Sequence, residues 1–446
     1  LADGLIARLA AVVGAEHVLT GVALSPYVVD GVTPEAAVFP ASVEQVQGVV
    51  SVAAELRVPI VPWGGGTAMT VGGPATATGL VLGLGRLDRI LEHEPGDLTA
   101  TVEAGVTVAR LDAALRAKGQ WLSLDPPVAE RATIGGVIAA NASGPRRQLY
   151  GTMRDLLIGV TVVTASGAVV RGGGKVVKNV AGYDLPKLFV GSHGTLGIIV
   201  SASVKLRPLP DDERFVAVSF PSVKDGGAAV RAVMASDLIP VALDLLDPDA
   251  ARALGLPPAA TLVAGFDGLG EQVDAQCAYL AQVVGASAGS TLRALPPAAW
   301  SRLATAARGA VETPASVMRL SVLPTQVADT IDQGASAARA HGLASAWSAH
   351  AGIGVVTGVL AAPARRDRVT SDGPETVAAV LRVLGEWRRV ATSNGGHATL
   401  EWAPLAVKAA LPVWDDLGAA GRIMQRIKAQ LDPDRLLNPG RFVAGI

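Results

Sequence analysis

Between residues 61 and 199 the chain runs three times through backbone almost bare of side chains. The first stretch, "VPWGGGTAMTVGG" (61–73), follows a short apolar run with three consecutive glycines. Each glycine inside regular structure costs roughly 0.5–1 kcal/mol relative to alanine, so the run reads either as a turn or as main chain that something must approach closely. No lysine follows the glycines, which excludes the G-x-x-x-x-G-K-[ST] phosphate loop. Met69 stands where the third glycine of G-x-G-x-x-G would fall, which excludes the dinucleotide fingerprint. The second stretch, "ATIGGVIAANASGPRRQLYGTMRDLLIG" (132–159), and the third, "KNVAGYDLPKLFVGSHGTLGII" (178–199), are as rich in small residues. Three such loops exceed what turn chemistry requires, and they suit a flat, phosphate-bearing ligand lying on peptide amides.

Around these loops the pattern is α+β. "EAAVFP" (35–40) reads as a strand, and the next helix has Ser42 as N-cap and Gln45 three residues on, the spacing of a capping box. "VPIVPW", "LVLGL", "DRILEHE" and "LTATVEAG" read as strands, "TVARLDAALRAKG" as a helix ended by Gly119, and "LLIGVTVVTASGAVV" as a hairpin turning at 165–167. Pro208-Leu209-Pro210-Asp211-Asp212 marks a boundary. Beyond it come two strand–helix–strand passes, from "RFVAVSF" to "VALDLL" and from "SVMRLSVLP" to "ASAWSAHAG". The expected division is an N-terminal helical segment (1–33), a ligand-binding domain (34–212), a second domain (213–394) and a polar, turn-rich tail (395–446) that returns to the first.

The balance of 38 basic and 39 acidic residues gives no electrostatic reason to bind nucleic acid or an anionic membrane. No apolar run reaches the ~18–20 residues of a membrane-spanning helix, and the first residues lack the form of a signal peptide. A single cysteine, Cys277, leaves no Cys-ligated cluster or Cys-rich zinc site in this chain and fits a reducing cytoplasm. Redox chemistry would need a bound organic cofactor.

The order "PWGGGT", "ATIGG…AN.SG", "GYDL..LFVGS.GTLGI" and "LDP..LLNPGRF" resembles FAD-binding flavoproteins of the vanillyl-alcohol-oxidase type. Within them it is similar to the D-2-hydroxy-acid dehydrogenases and glycolate oxidase subunits, and "GPRRQLYGTMRDLLIGV", "KNVAGYD" and "GGHATL" point to the FAD-binding subunit. The resemblance implies an α+β fold with a two-lobed FAD-binding domain. A cap domain follows, with an antiparallel sheet flanked by helices and the flavin ring between the two domains. It implies that Gly64, Gly65, Gly66 and Thr67 hold the FAD pyrophosphate through N–H groups, among Pro62, Trp63, Ala68 and Met69. Thr133, Gly135, Gly136, Ala139, Ala142 and Ser143 would line the cofactor together with Pro126, Tyr150 and Gly151, with Ile199 at the adenine end and Asn438 toward the ring. Residues 61–73 hold no His or Cys, so the expected FAD is non-covalent.

The same resemblance implies oxidation of a small D-2-hydroxy acid, glycolate or D-lactate in type, by hydride transfer to flavin N5. The alternatives it leaves open are a non-catalytic FAD-binding or electron-relay subunit, with a sister flavoprotein and an iron–sulfur protein as partners, and a sugar or aryl-alcohol oxidase on the same scaffold. That places the chain in the cytoplasm, at the inner membrane only through a complex. Such chemistry needs a cation for the carboxylate and a base for the hydroxyl proton. Arg319, in the apolar strand "SVMRLSVLP", reads as that cation or as an arginine on a solvent face opposite Met318 and Leu320. His397 in "NGGHATLEW" is a candidate base or a loop histidine, and His350 in "SAHAGIGVV" matches the first histidine of the relatives' metal motif. The second metal histidine corresponds to Thr357 and the ligating acid to Gly396, neither of which replaces an imidazole or a carboxylate, so no metal is expected. Lys178 and Tyr183 read as outer supporting groups, and Asp184 as a turn residue.

Overall fold

The computed structural model describes residues 2–75, 79–174, 183–285, 292–362, 373–393 and 395–446. The fold is α+β, and the chain divides into two compact units. The first comprises 1–143, 152–209 and 416–446, and the second 144–151 and 210–415. The expected division differs at three segments: 144–151 and 210–212, expected in the ligand-binding domain, and 395–415, the front of the tail, all fall in the second unit. Among the described residues no helix is long and apolar enough to cross a membrane.

The first unit contains a four-stranded and a five-stranded sheet. In the smaller sheet Ala36–Val38 and Ile60–Trp63 both run parallel to Leu80–Gly83, and Val18–Leu19 pairs antiparallel with Ala36–Val38. The helix Val43–Leu56 connects the first two of these strands and buries Val46, Val49, Val50 and Ala53 at helical spacing. Ser42 Oγ accepts the Gln45 N–H at 3.2 Å. The return bond of the expected capping box is displaced by one residue, because Gln45 Oε1 accepts from Ala41 N–H rather than Ser42 N–H. Ile60–Trp63 ends in register with Gly83, so the three glycines leave the carboxyl end of a parallel strand, where α/β sheets characteristically bind ligands. The larger sheet is antiparallel, in the order Ile90–Glu94, Thr99–Glu103, Ile198–Lys205, Leu157–Val163, Val169–Gly173.

The second unit is built on an eight-stranded antiparallel sheet. One face carries Met318, Leu320, Trp347, Ala349 and Val356 into a core shared with Val380, Val383, Leu384 and Trp387 of the helix Pro374–Thr392. Trp347 and Trp387 pack at 4.4 Å between ring centroids, and Gly334 and Gly358 leave room for them: a Cβ on either would stand 2.3–2.7 Å from an indole carbon. His397–Trp402, expected in a turn-rich tail, is the edge strand of this sheet, with Ala398 and Leu400 buried. The segment 144–151 is tied into the unit by Arg146 Nε donating to Glu213 Oε1 at 2.9 Å and by Tyr150 Oη donating to the Asp267 carboxylate at 2.7 Å.

Candidate active site

A cleft in the first unit opens at the end of Ile60–Trp63 and contains about 760 Å³ of free space, open solvent at its mouth included. Pro62, Trp63, Gly64, Gly65, Gly66, Thr67, Ala68 and Met69 form one wall. Gly135, Gly136 and Ala139 of the helix Ile134–Ala140 form another, and Ile199 and Asn438 also line the cleft. Thr133 is the N-cap of that helix, its Oγ1 accepting from Gly136 N–H at 3.3 Å. The glycines are there for space. A Cβ on Gly65 would fall 1.7 Å from the Arg131 carbonyl oxygen, and one on Gly64 2.3 Å from Thr133 Oγ1.

Not every expected residue lines this cleft. Pro126, Ala142 and Ser143 are not in the cleft's lining. Tyr150 and Gly151, expected at the cofactor, belong to the second unit, where Asp267 engages the phenol. Tyr183 is exposed, and Lys178 lies outside the described residues. Sequence reasoning missed His193 and Arg441, which also line the cleft. The His193 ring lies against Phe442 at 5.2 Å, so the absence of histidine in 61–73 does not extend to the whole cleft.

This lining fits FAD. Bare amides and the first turn of a helix face the cleft, a combination suited to a diphosphate. In the lining, Asn438 Oδ1 is buried with no hydrogen-bond partner among the described residues. Such an atom costs about 1–3 kcal/mol if left unsatisfied, and a polar ligand in the cleft can satisfy it.

In the second unit the strand registers bring Arg319, His350 and His397 to one sheet face. Asp244 is opposite His350, His350 opposite Val355, and Ser348 opposite Thr357. Arg319 is opposite both Thr357 and Thr399, and Ser321 opposite His397. Because side chains alternate across a strand, this face is the one turned away from Met318 and Leu320. Arg319 is half-buried and its Nη1 lies 3.2 Å from Glu401 Oε1, so its charge is paired. His350 Nδ1 lies 2.5 Å from Asp244 Oδ1. Burial raises the Asp244 pKa above the usual carboxylate range, and the imidazole opposes that shift. His397 is two-thirds exposed and its Nδ1 is 3.9 Å from Asp415 Oδ2, so it lacks the close partner that His350 has. Among the described residues no three His, Cys, Asp or Glu side chains converge as a ligand set for a metal ion.

A bare-amide cleft in one unit and an antiparallel sheet in the other suit a flavoprotein oxidoreductase, and comparison with known proteins shows that class. The FAD binding domain model matches residues 34–173, and the model described as FAD linked oxidases, C-terminal domain, matches 209–442. The chain belongs to the FAD-linked oxidase family and is an FAD-dependent oxidoreductase. It is 31% identical over 430 residues to glycolate oxidase subunit GlcD of Bacillus subtilis, covering 92% of this chain and 89% of that one. It is 38% identical over 211 residues to D-lactate dehydrogenase of Archaeoglobus fulgidus, 47% of each chain. The crystal structure of p-cresol methylhydroxylase has the same fold, with a TM-score of 0.78 at 20% identity, over 100% of this chain and 96% of that one.

Proposed function

We propose that this chain oxidises a short 2-hydroxy acid, of the glycolate or D-lactate class, to the 2-oxo acid, with FAD held non-covalently in the cleft of the first unit. The observation that carries the reading is the polar row on one sheet face, which sets a guanidinium and a carboxylate-backed imidazole on the two strands that flank Val355–Ala361. Arg319 would take the substrate carboxylate, for which its planar fork is suited. Asp244 engages His350 Nδ1, so Nε2 is the atom that would accept the hydroxyl proton, and the buried carboxylate would balance the imidazolium. His397, exposed and weakly paired, fits that task less well. When bound, FAD supplies a two-electron acceptor for the hydride that leaves the substrate carbon. Gly64, Gly65, Gly66 and Thr67 would hold its pyrophosphate, and Asn438 would offer Oδ1 to the isoalloxazine.

Purification of the chain alone, followed by anaerobic addition of glycolate and then D-lactate, tests this directly. Loss of the visible absorbance of oxidised flavin is expected, and acid precipitation should leave the FAD in the supernatant. A flavin that stays oxidised with both acids would instead favour a relay subunit. That second reading draws support from Thr357 and Gly396 at the metal-ligand positions and from a relative named as a subunit. In either case an iron–sulfur centre would belong to a partner, because Cys277 is the chain's one cysteine. A sister flavoprotein is the other partner this reading names, and the cytoplasm, at the inner membrane only through such a complex, is its proposed location.

Treatment with EDTA is expected to leave turnover unchanged. Activity that disappears with the chelator and returns with zinc or manganese would overturn the expectation, drawn from Thr357 and Gly396, that no metal is needed.

A further inference from the structure

The second half of the opening glycine stretch raises its own question. Gly72 and Gly73 lie beyond the cradle formed by Gly64–Gly66, and what approaches them is the far end of the chain. A Cβ on Gly72 would lie 2.7 Å from the Arg441 carbonyl oxygen, and one on Gly73 2.6 Å from that of Gly440. Gly73 N–H donates to the Arg441 carbonyl at 2.9 Å, and Arg441 Nη1 donates back to the Gly73 carbonyl at 2.7 Å. Arg441 Nη2 donates to the carbonyls of Met69 and, at 3.0 Å, Val71, and Nη1 is also paired with Asp30. One buried guanidinium thus holds three carbonyls in the loop that leaves the cradle.

The same tail grips the rest of the cleft. Ile60 N–H donates to the Leu436 carbonyl at 2.7 Å and Asn438 N–H to the Ile60 carbonyl at 2.8 Å, so the tail runs beside the strand that delivers the glycines. Asn438 Nδ2 donates to the His193 carbonyl at 2.7 Å. Lys428 Nζ, buried, donates to the Thr195 carbonyl at 2.7 Å, the Leu437 carbonyl at 2.8 Å and the Asp432 carboxylate at 2.6 Å. Burial lowers the pKa of both cations, and a neighbouring aspartate opposes the shift in each case.

We infer that residues 428–441 form a clasp on the cofactor cleft, with Arg441 as the positioning residue that fixes 69–73 and thereby sets how tightly FAD is retained. The inference rests on FAD binding and not on the hydroxy-acid reading. Lysine at 441 keeps the charge beside Asp30 but cannot reach three carbonyls in one plane. Loop amides that must be ordered by the ligand itself bind it more weakly than amides ordered beforehand. Coupling between two binding events is reciprocal, so a docked tail that favours FAD implies that FAD favours the docked tail by the same factor.

Full-length protein stripped of FAD and titrated with FAD provides the test. Arg441→Lys, and Asp30→Asn with Arg441→Gln so that no lone charge is buried, are expected to raise the FAD Kd by about tenfold or more. Arg422→Gln, exposed on the helix Ala419–Leu431 and outside the clasp, should leave it unchanged. Hydrogen exchange on the unmodified protein gives an arm that does not depend on variants folding: FAD should slow exchange at the amides of Gly73 and Asn438. A Kd that Arg441→Lys leaves within about twofold, or exchange at those amides that ignores FAD, would overturn the inference.

Discussion

Alanine at position 65 is expected to give a protein that purifies colourless. The added methyl would sit 1.7 Å from the Arg131 carbonyl oxygen and 2.6 Å from its carbon, both main-chain atoms that no rotamer change can move. The loop must shift bodily, and overpacking of this kind typically costs about 1–3 kcal/mol. The shift also misplaces the amides of residues 64–67. If these serve the diphosphate, each charge-assisted bond lost removes about 1.5–3 kcal/mol, so two lost bonds weaken FAD binding by roughly 10²–10⁴-fold. The measurement is the ratio of flavin to protein absorbance in the purified protein, with thermal unfolding to show that the chain still folds. Gly85→Ala is the matched control, because a Cβ there meets nothing within 4 Å. A yellow, fully loaded Gly65→Ala protein would remove the glycine run from the cofactor site.

Methionine at position 319 is expected to lower kcat/KM for glycolate or D-lactate by roughly 10²–10⁴-fold, mostly through KM, if the guanidinium binds the carboxylate through two charge-assisted bonds. Because Arg319 is paired with Glu401 at 3.2 Å, the single variant also leaves an acid facing the incoming anion. Arg319→Met combined with Glu401→Gln separates these effects, and its KM should lie between those of the wild type and the single variant. Arg319→Lys keeps the charge but not the fork, and its loss should be smaller than that of Met. His350→Gln should behave differently, lowering kcat by about 10²–10⁴-fold with little change in KM, as expected for a proton acceptor. A KM that Arg319→Met leaves within about twofold would exclude the clamp and leave an arginine whose role is its partner Glu401.

How much of this was legible in the sequence depends on what each feature requires. The glycine-lined cleft was legible because its wall is main chain: bare amides need glycine, and glycine runs are visible in one dimension. The alternation of the Arg319 strand was legible for a similar reason, because Met318 and Leu320 define the core side locally. What needs register or long-range pairing was not. Asp244 meets His350 across 106 residues, and only the pairing of their two strands shows it. Tyr150 was expected at the cofactor from its neighbourhood in sequence, and its bond to Asp267, 117 residues on, shows only in the fold. "HATLEW" carries a strand's alternation, but the glycines before it and the prolines after it disguise an edge strand as a turn-rich tail. In "NPGRF" Asn438 drew notice and Arg441 did not, because the acceptors of Arg441 are carbonyls at 69–73 that no pattern of side chains announces.

The route of the polypeptide carries a consequence for how such a protein can be divided or exchanged. The chain passes between its two compact units at 143/144, 151/152, 209/210 and 415/416. The cofactor unit is therefore discontinuous in the gene, and a polypeptide ending at residue 209 would carry the glycine stretch without Lys428, Asn438 or Arg441. New specificity would have to be grafted as a domain insertion, with 416–446 kept downstream of the inserted part, and not as an end-to-end fusion.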